Sequence, residues 1–371
     1  MEILQLVLHN ALSFIAIISL IVFIHEFGHF YVARLCGVQI EAFSIGFGKE
    51  IFGFNDKKGT RWKLCILPLG GYVKMYGDKN GASMPDLEEL KKMSTEEKGK
   101  SFIYKNVYQR FAIVIAGPAA NFLLAILLFT FLFKINGLNT VLPIVDEVLP
   151  QSAALESNLQ KGDKILTIDG KEITDFNEVR QAVMTSSSKE LHFEIEREKQ
   201  ILKINITPKY QVSKDFFGDE IKTGMLGITA SQTIHEDLNI GQSFAQANAE
   251  TYKISLAIFD AIGELVTGKR SVKELGGPIK IAKYSGKTVT MGITVVAWFM
   301  AMISINLGVM NLLPVPMLDG GHLFFYIIEM VIKKPLPQKA QNIGFQIGMA
   351  LVLTLMLFTT FNDVQQLIFG Q

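Results

Sequence analysis

The sequence predicts a mainly α-helical polytopic membrane protein. It has four transmembrane helices, a membrane-associated β-hairpin element and one inserted extracytoplasmic α/β domain. Three observations predict this fold class. Only 19% of the 371 residues are charged, against about 25% in soluble domains. The deficit is concentrated in four apolar blocks: 11–24 (apolar from 3 to about 35), 111–133, 292–332 and 343–361. A bilayer core of about 30 Å takes about 20 helical residues, so each block is long enough to span it. The charged residues lie between the blocks, in segments that alternate like strands or carry amphipathic periodicity.

The elements follow in chain order. Residues 1–36 form the first span; without a basic flank or a small-residue cleavage site it is expected to be retained. The loop 37–106 contains the apolar strand-like runs AFSIGFG and WKLCILPLGGYVKMYG. This much apolar surface suggests a hairpin dipping into the bilayer, its backbone paired within the protein. The second span covers 107–134. A small module at 141–212 reads as strands, an Asp169-Gly170 turn inside KILTIDGKEI and a helix at FNEVRQAVM. The connector 213–290 includes an amphipathic helix at 241–267. The third block, 291–332, is too long for one span and contains Pro314, Pro316 and Gly320, so its helix breaks. The fourth span is 343–362.

Charge sets the orientation. The first ten residues and the last ten contain no Lys or Arg, whereas Arg34, Lys100, Lys105, Arg110 and the KKPLPQK loop are basic. Both termini are therefore expected outside, with 37–106 and 333–339 in the cytoplasm and 134–290 extracytoplasmic. A net charge of +1 argues against nucleic acid as a partner. Two cysteines, Cys36 and Cys65, exclude a disulfide scaffold or a Cys-based zinc cluster. The charged run 86–92 reads as a solvated loop.

The first span ends in His25-Glu26-Phe27-Gly28-His29, an HExxH. Four residues apart on a helix, the two histidines lie on one face and can share a metal ion, while Glu26 is close enough to reach a water there. Ionisable groups in a transmembrane segment are costly and are functional by default. Hydrolytic zinc takes three protein ligands, and the third span offers Asn306, Asn311, Asp319 and His322. Asp319 follows the double-proline break; spacing alone leaves His322 open as its rival.

HEFGH in the first span with NLLPVPMLDGG in a later one resembles the site-2 proteases, the intramembrane zinc metalloproteases. PLGGYVKMYG, GPAANFLLA and ELGGPIKIA agree, and the order of segments looks like the bacterial branch that cleaves anti-sigma factors, the RseP type. The resemblance implies zinc on His25, His29 and Asp319, with Glu26 as general base. It further implies that Asn311 and Asn306 handle substrate, and that the PLGGYVKMYG element, with Gly70 and Gly71, presents an edge strand holding substrate extended. Substrates would be single-span membrane proteins, cleaved at the cytoplasmic (inner) membrane of a bacterium. The module at 141–212 resembles a circularly permuted bacterial PDZ domain through NLQKGDKILTIDGKEITDFNEV, which implies peptide capture at a sheet edge. Only one such module is present, where the best-known members carry two. Gly117-Pro118 and Asn121 are expected to break the second span and offer a polar contact near the site.

Other classes remain distinguishable. A protease for lipid-anchored C-termini normally takes a glutamate or histidine as third ligand. A scaffold or chaperone would bind no zinc, and a metal transporter would spread its ligands over several spans.

Overall fold

The computed structural model describes residues 2–78, 93–186, 189–214, 220–268 and 276–369; the charged run 86–92 lies outside them. The chain divides into two compact units, 1–132 with 241–370 and 133–240. Among the described residues, four helices are long and apolar enough to cross a membrane.

The first unit begins with α1 (Glu2–Leu35), followed by β1 (Ile40–Asn55) and β2 (Arg61–Met75). These two strands form more than a simple hairpin. Phe43 pairs with both Val73 and Trp62, and Trp62 pairs also with Phe54. Each strand therefore bends back, and four segments lie side by side in the order 71–75, 40–45, 61–65, 50–55. This doubling pairs much of the backbone within the element. Phe30 of α1, Phe43 and Trp62 form an aromatic cluster, with Phe43 and Trp62 stacked at 4.5 Å, that fastens the sheet to the first helix. Asp56 at the strand turn accepts from Trp62 Nε1 at 3.0 Å, from Arg34 and from the Lys58 and Thr60 amides. Burial of Asp56 works against ionisation, but these donors outweigh it and hold the carboxyl down at about 2.

A short helix α2 (Thr95–Lys100) with a Ser94–Glu97 capping box leads to α3 (Val107–Asn136). After the second unit come α4 (Ile240–Val266), α5 (Pro278–Met291), α6 (Ile293–Leu312), α7 (Asp319–Ile332) and α8 (Gln338–Phe369). The third apolar block thus breaks between Leu312 and Asp319. Pro314 and Pro316 cannot continue the helix, and Met317 takes the left-handed conformation at φ 88. Helix α5 was not legible in the connector. Its N-cap, Gly277, has no side chain to cap it. Instead Asp363 of α8 accepts from the Gly277, Ile279 and Lys280 amides at 2.8–3.0 Å, placing an anion at the positive end of α5. A Cβ at Gly277 would lie 2.6 Å from that carboxylate.

The second unit centres on an antiparallel sheet, in the order β4 (Lys171–Glu172), β3 (Lys164–Ile168), β5 (Leu191–Arg197), β6 (Gln200–Ile206). The helix Phe176–Thr185, capped by Asp175, supplies Val179 and Val183 to its core. Asp169 and Gly170 both have positive φ, as a two-residue type I′ turn requires. The expected end of this module at 212 is too early. Leu226 is part of the same core, residues 228–229 pair with 147–148, and 233–236 pair with 138–141. Strands this short carry no readable alternation, which is why the sequence hid them.

Candidate metal centre

His25 and His29 sit one turn apart near the end of α1, and Asp319 is the first residue of α7, delivered by the proline break. The two Nε2 atoms lie 3.2 Å apart. Asp319 Oδ2 is 3.2 Å from His25 Nε2 and 3.5 Å from His29 Nε2. This carboxylate oxygen is inaccessible to solvent and satisfied by no hydrogen bond, which is costly unless a cation completes it. Tetrahedral ligands about 2.0–2.1 Å from zinc are separated by about 3.3 Å, so all three distances suit that ion. Among the described residues, this trio is the group of His, Cys, Asp and Glu whose ligand atoms converge.

Helix α3 forms the wall behind the histidines. A Cβ at Gly117 would lie 2.2 Å from His29 Nε2, and one at Gly28 would lie 2.2 Å from the Ala116 carbonyl. Only glycine at both positions lets α1 and α3 cross this closely. Pro118, inside α3, donates no hydrogen bond to its preceding turn. In that turn the Ile113 carbonyl receives His29 Nδ1 at 2.9 Å. One turn on, the Asn121 side-chain amide meets His25 Nδ1 at 3.0 Å, and Ser304 of α6 donates to the Asn121 backbone carbonyl at 2.8 Å. The Ile113 contact was invisible in the sequence because a backbone carbonyl carries no residue signature.

Glu26 stands outside the trio. Its carboxylate accepts from the Val73 amide on segment 71–75, and its titratable neighbours are His29, His25 and Asp319. Gly71 is brought against it: a Cβ there would lie 3.1 Å from Glu26 Cγ. Gly70, at φ 131, packs instead under the Phe47 ring. Asn311 is half-buried near the end of α6, whereas Asn306 is exposed on that helix; neither is hydrogen-bonded to the trio. His322 lies outside the converging group and packs on Phe345 and Tyr326. Arg110 of α3 bonds Glu329 at 2.6 Å and lies over the Tyr326 ring, tying α7 to α3.

A sequence profile of Peptidase family M50 matches residues 13–355. A protein of Agrobacterium fabrum named as a zinc metalloprotease is 43% identical over 96% of this chain and 95% of its own length. One of Rhizobium meliloti, similarly named, is 40% identical over 96% of each. The metalloprotease MmpA of Caulobacter vibrioides is 34% identical over 95% of each. Among solved structures, the PDZ domain of an SdrC-like protein from Listeria innocua covers 26% of this chain and 99% of its own, at 19% identity. Its TM-score of 0.21 lends that likeness no weight. The profile and the relatives span nearly the whole chain, including α1, α3 and α7 with the trio. The chain therefore belongs to Peptidase family M50, the site-2 protease family, and is a multi-pass membrane zinc metalloprotease.

Proposed function

We propose that this metalloprotease is an intramembrane endopeptidase hydrolysing a peptide bond in or near a transmembrane segment of another membrane protein. Its substrates are single-span proteins of the anti-sigma factor or signal-peptide remnant type. One observation carries this reading: the His25, His29 and Asp319 ligand atoms converge where α1, a helix apolar enough to span a bilayer, meets the broken third block.

His25 Nε2, His29 Nε2 and the Asp319 carboxylate would hold zinc. When bound, that ion supplies Lewis acidity to the scissile carbonyl and lowers the pKa of water to about 7. Glu26 takes the proton from the attacking water and returns it to the leaving amine. Its hydrogen bond from Val73 orients the carboxylate and joins it to segment 71–75. That segment lies at the outer edge of the four-segment sheet and has no further strand partner among the described residues. A substrate adding to this edge becomes extended, and its peptide bonds lose the shielding of helical hydrogen bonds. Gly70 and Gly71 allow close approach there. Asn311 hydrogen-bonds the substrate or the oxyanion, and Asn306 belongs to the same substrate path.

The β1–β2 element dips into the bilayer; exposed Ile51, Phe52, Ile66 and Leu67 on its surface support this. Both termini lie outside the bacterial inner membrane, as the basic 333–339 loop and an N-terminal flank without Lys or Arg support. The PDZ-like module binds peptide segments outside. Its edge strands and capped helix suit that use.

The test is Glu26→Gln in the full-length protein with a single-span reporter in vesicles. We expect about one zinc per chain, retained folding, and cleavage reduced about 10²- to 10⁴-fold. Undiminished cleavage would remove Glu26 from the mechanism. His25→Ala should lose the zinc, and a wild-type chain without zinc would overturn the ligand set.

A further inference from the structure

The two histidines differ in what holds their outer nitrogens. Both ligand atoms are Nε2, so each neutral ring must carry its proton on Nδ1 and needs an acceptor there. His29 has one in the Ile113 carbonyl at 2.9 Å. His25 Nδ1 faces only the side-chain amide of Asn121, 3.0 Å away. Asn121 is fully buried, and its Oδ1 has no hydrogen-bond partner.

With the amide nitrogen toward His25, two donors face each other in the tautomer that frees Nε2, while a buried carbonyl oxygen goes unused. A half-turn of the amide resolves the donor clash: Oδ1 then accepts the Nδ1 proton. Amide oxygen and nitrogen have the same shape, so the pocket accommodates either orientation, and hydrogen bonding decides between them. We infer that Asn121 is a positioning residue whose side-chain oxygen holds His25 as its Nδ1–H tautomer, presenting Nε2 to the metal. Helix α3 thereby orients both histidines, His29 through the backbone at Ile113 and His25 through Asn121. Gly117 between them lets the helix come close enough. The inference rests on the zinc reading above and assigns no chemical step to Asn121.

The experiment compares Asn121→Leu, Asn121→Ser and Asn121→Asp with wild type, as full-length protein in detergent. Zinc is stripped with a chelator and titrated back against a competing chelator, and melting of the metal-free proteins reports folding. Losing an outer partner of a ligating histidine costs about 10- to 100-fold in metal affinity. That loss is expected for Asn121→Leu, and for Asn121→Ser, whose short side chain falls short of Nδ1. Asn121→Asp keeps an acceptor oxygen and should bind within a few-fold of wild type. A second readout needs no metal. In ¹⁵N-histidine-labelled metal-free protein, the His25 Nδ1 shift, identified through a His25→Gln control, should be protonated-type in wild type and Asn121→Asp. It should move toward a tautomer mixture in the Ser and Leu variants. Wild-type zinc affinity in a folded Asn121→Leu or Asn121→Ser chain would overturn the assignment. So would a folded Asn121→Asp as weak as they are. Wild-type protein that binds no zinc would instead overturn the metal reading itself.

Discussion

The two units bury opposite things. In the unit 133–240 the interior is aliphatic and aromatic: Ile165, Phe193 and Ile195 are at most 1% exposed. Its buried Asp163 is tied to Arg197 by two bonds of 2.7 Å. In the helical unit large apolar side chains face outward, among them Leu12 at 65% and Leu357 at 72% exposed, while Asn121, Ser304 and Thr288 are wholly buried. Both patterns follow from one rule applied in two surroundings. Where water is outside, apolar burial drives folding. Where lipid is outside, apolar contact with the surroundings is free, and the interior is reserved for small residues, helix contacts and polar groups that need partners. A metal site belongs to the second kind of interior because its charges are paired there by design.

Predictions can break or sharpen this contrast. The largest effect is the loss of activity in Glu26→Gln, which should leave both units folded. Next, Ile195→Ala should open a cavity in the 133–240 core and cost about 2–5 kcal/mol in chemical denaturation, with zinc content unchanged. An effect as small as that of an outward-facing residue would mean this unit has no water-driven core.

Asp78 supplies a pH test of the helical unit. Burial pushes its carboxyl up to about 7 from its ordinary 3.8, outweighing the opposing hydrogen bond from the Met75 amide. Its folded-state value is the higher one, so the native protein holds a proton that the unfolded chain releases. The stabilisation is full below about pH 4 and is lost as pH rises through about 7, worth at most roughly 4 kcal/mol. Melting temperature against pH should show this fall in wild type, and Asp78→Asn should flatten it. A slope unchanged by that substitution would assign the effect elsewhere.

Asp363→Ala leaves three amides of α5 without their cap and should cost about 1–2 kcal/mol, read as lower thermal stability in detergent. Asp363→Asn should recover part of it. The smallest effect belongs to Leu357→Ala, which empties no core and should change stability by less than about 0.5 kcal/mol. A cost near that of Ile195→Ala would show that the outward face of α8 is packed against something other than lipid.

Much of the site was readable in the sequence because helical spacing is local. HExxH places two imidazoles on one face whatever surrounds them, and two prolines before Asp319 force a break wherever they fall. The paired strands of the loop and the Asp169-Gly170 turn were readable for the same reason. What escaped notice depended on distant chain segments: the doubling of β1–β2 into four segments, the helix α5 capped from residue 363, and the late strands completing the second unit.

The sequence alone therefore determined the four apolar helices, the HExxH face and the break that makes Asp319 available. Tertiary structure decided which side chain joined the histidines: Asp319 and His322 lie three residues apart in the first turn of α7, and only Asp319 converges with them. It decided too that Glu26 meets segment 71–75 and that α3 turns Ile113 and Asn121 toward the ring nitrogens. Helical and turn preferences act over a few bonds, but ligand geometry and hydrogen-bond partners require groups tens or hundreds of residues apart to arrive within about 3 Å of one another.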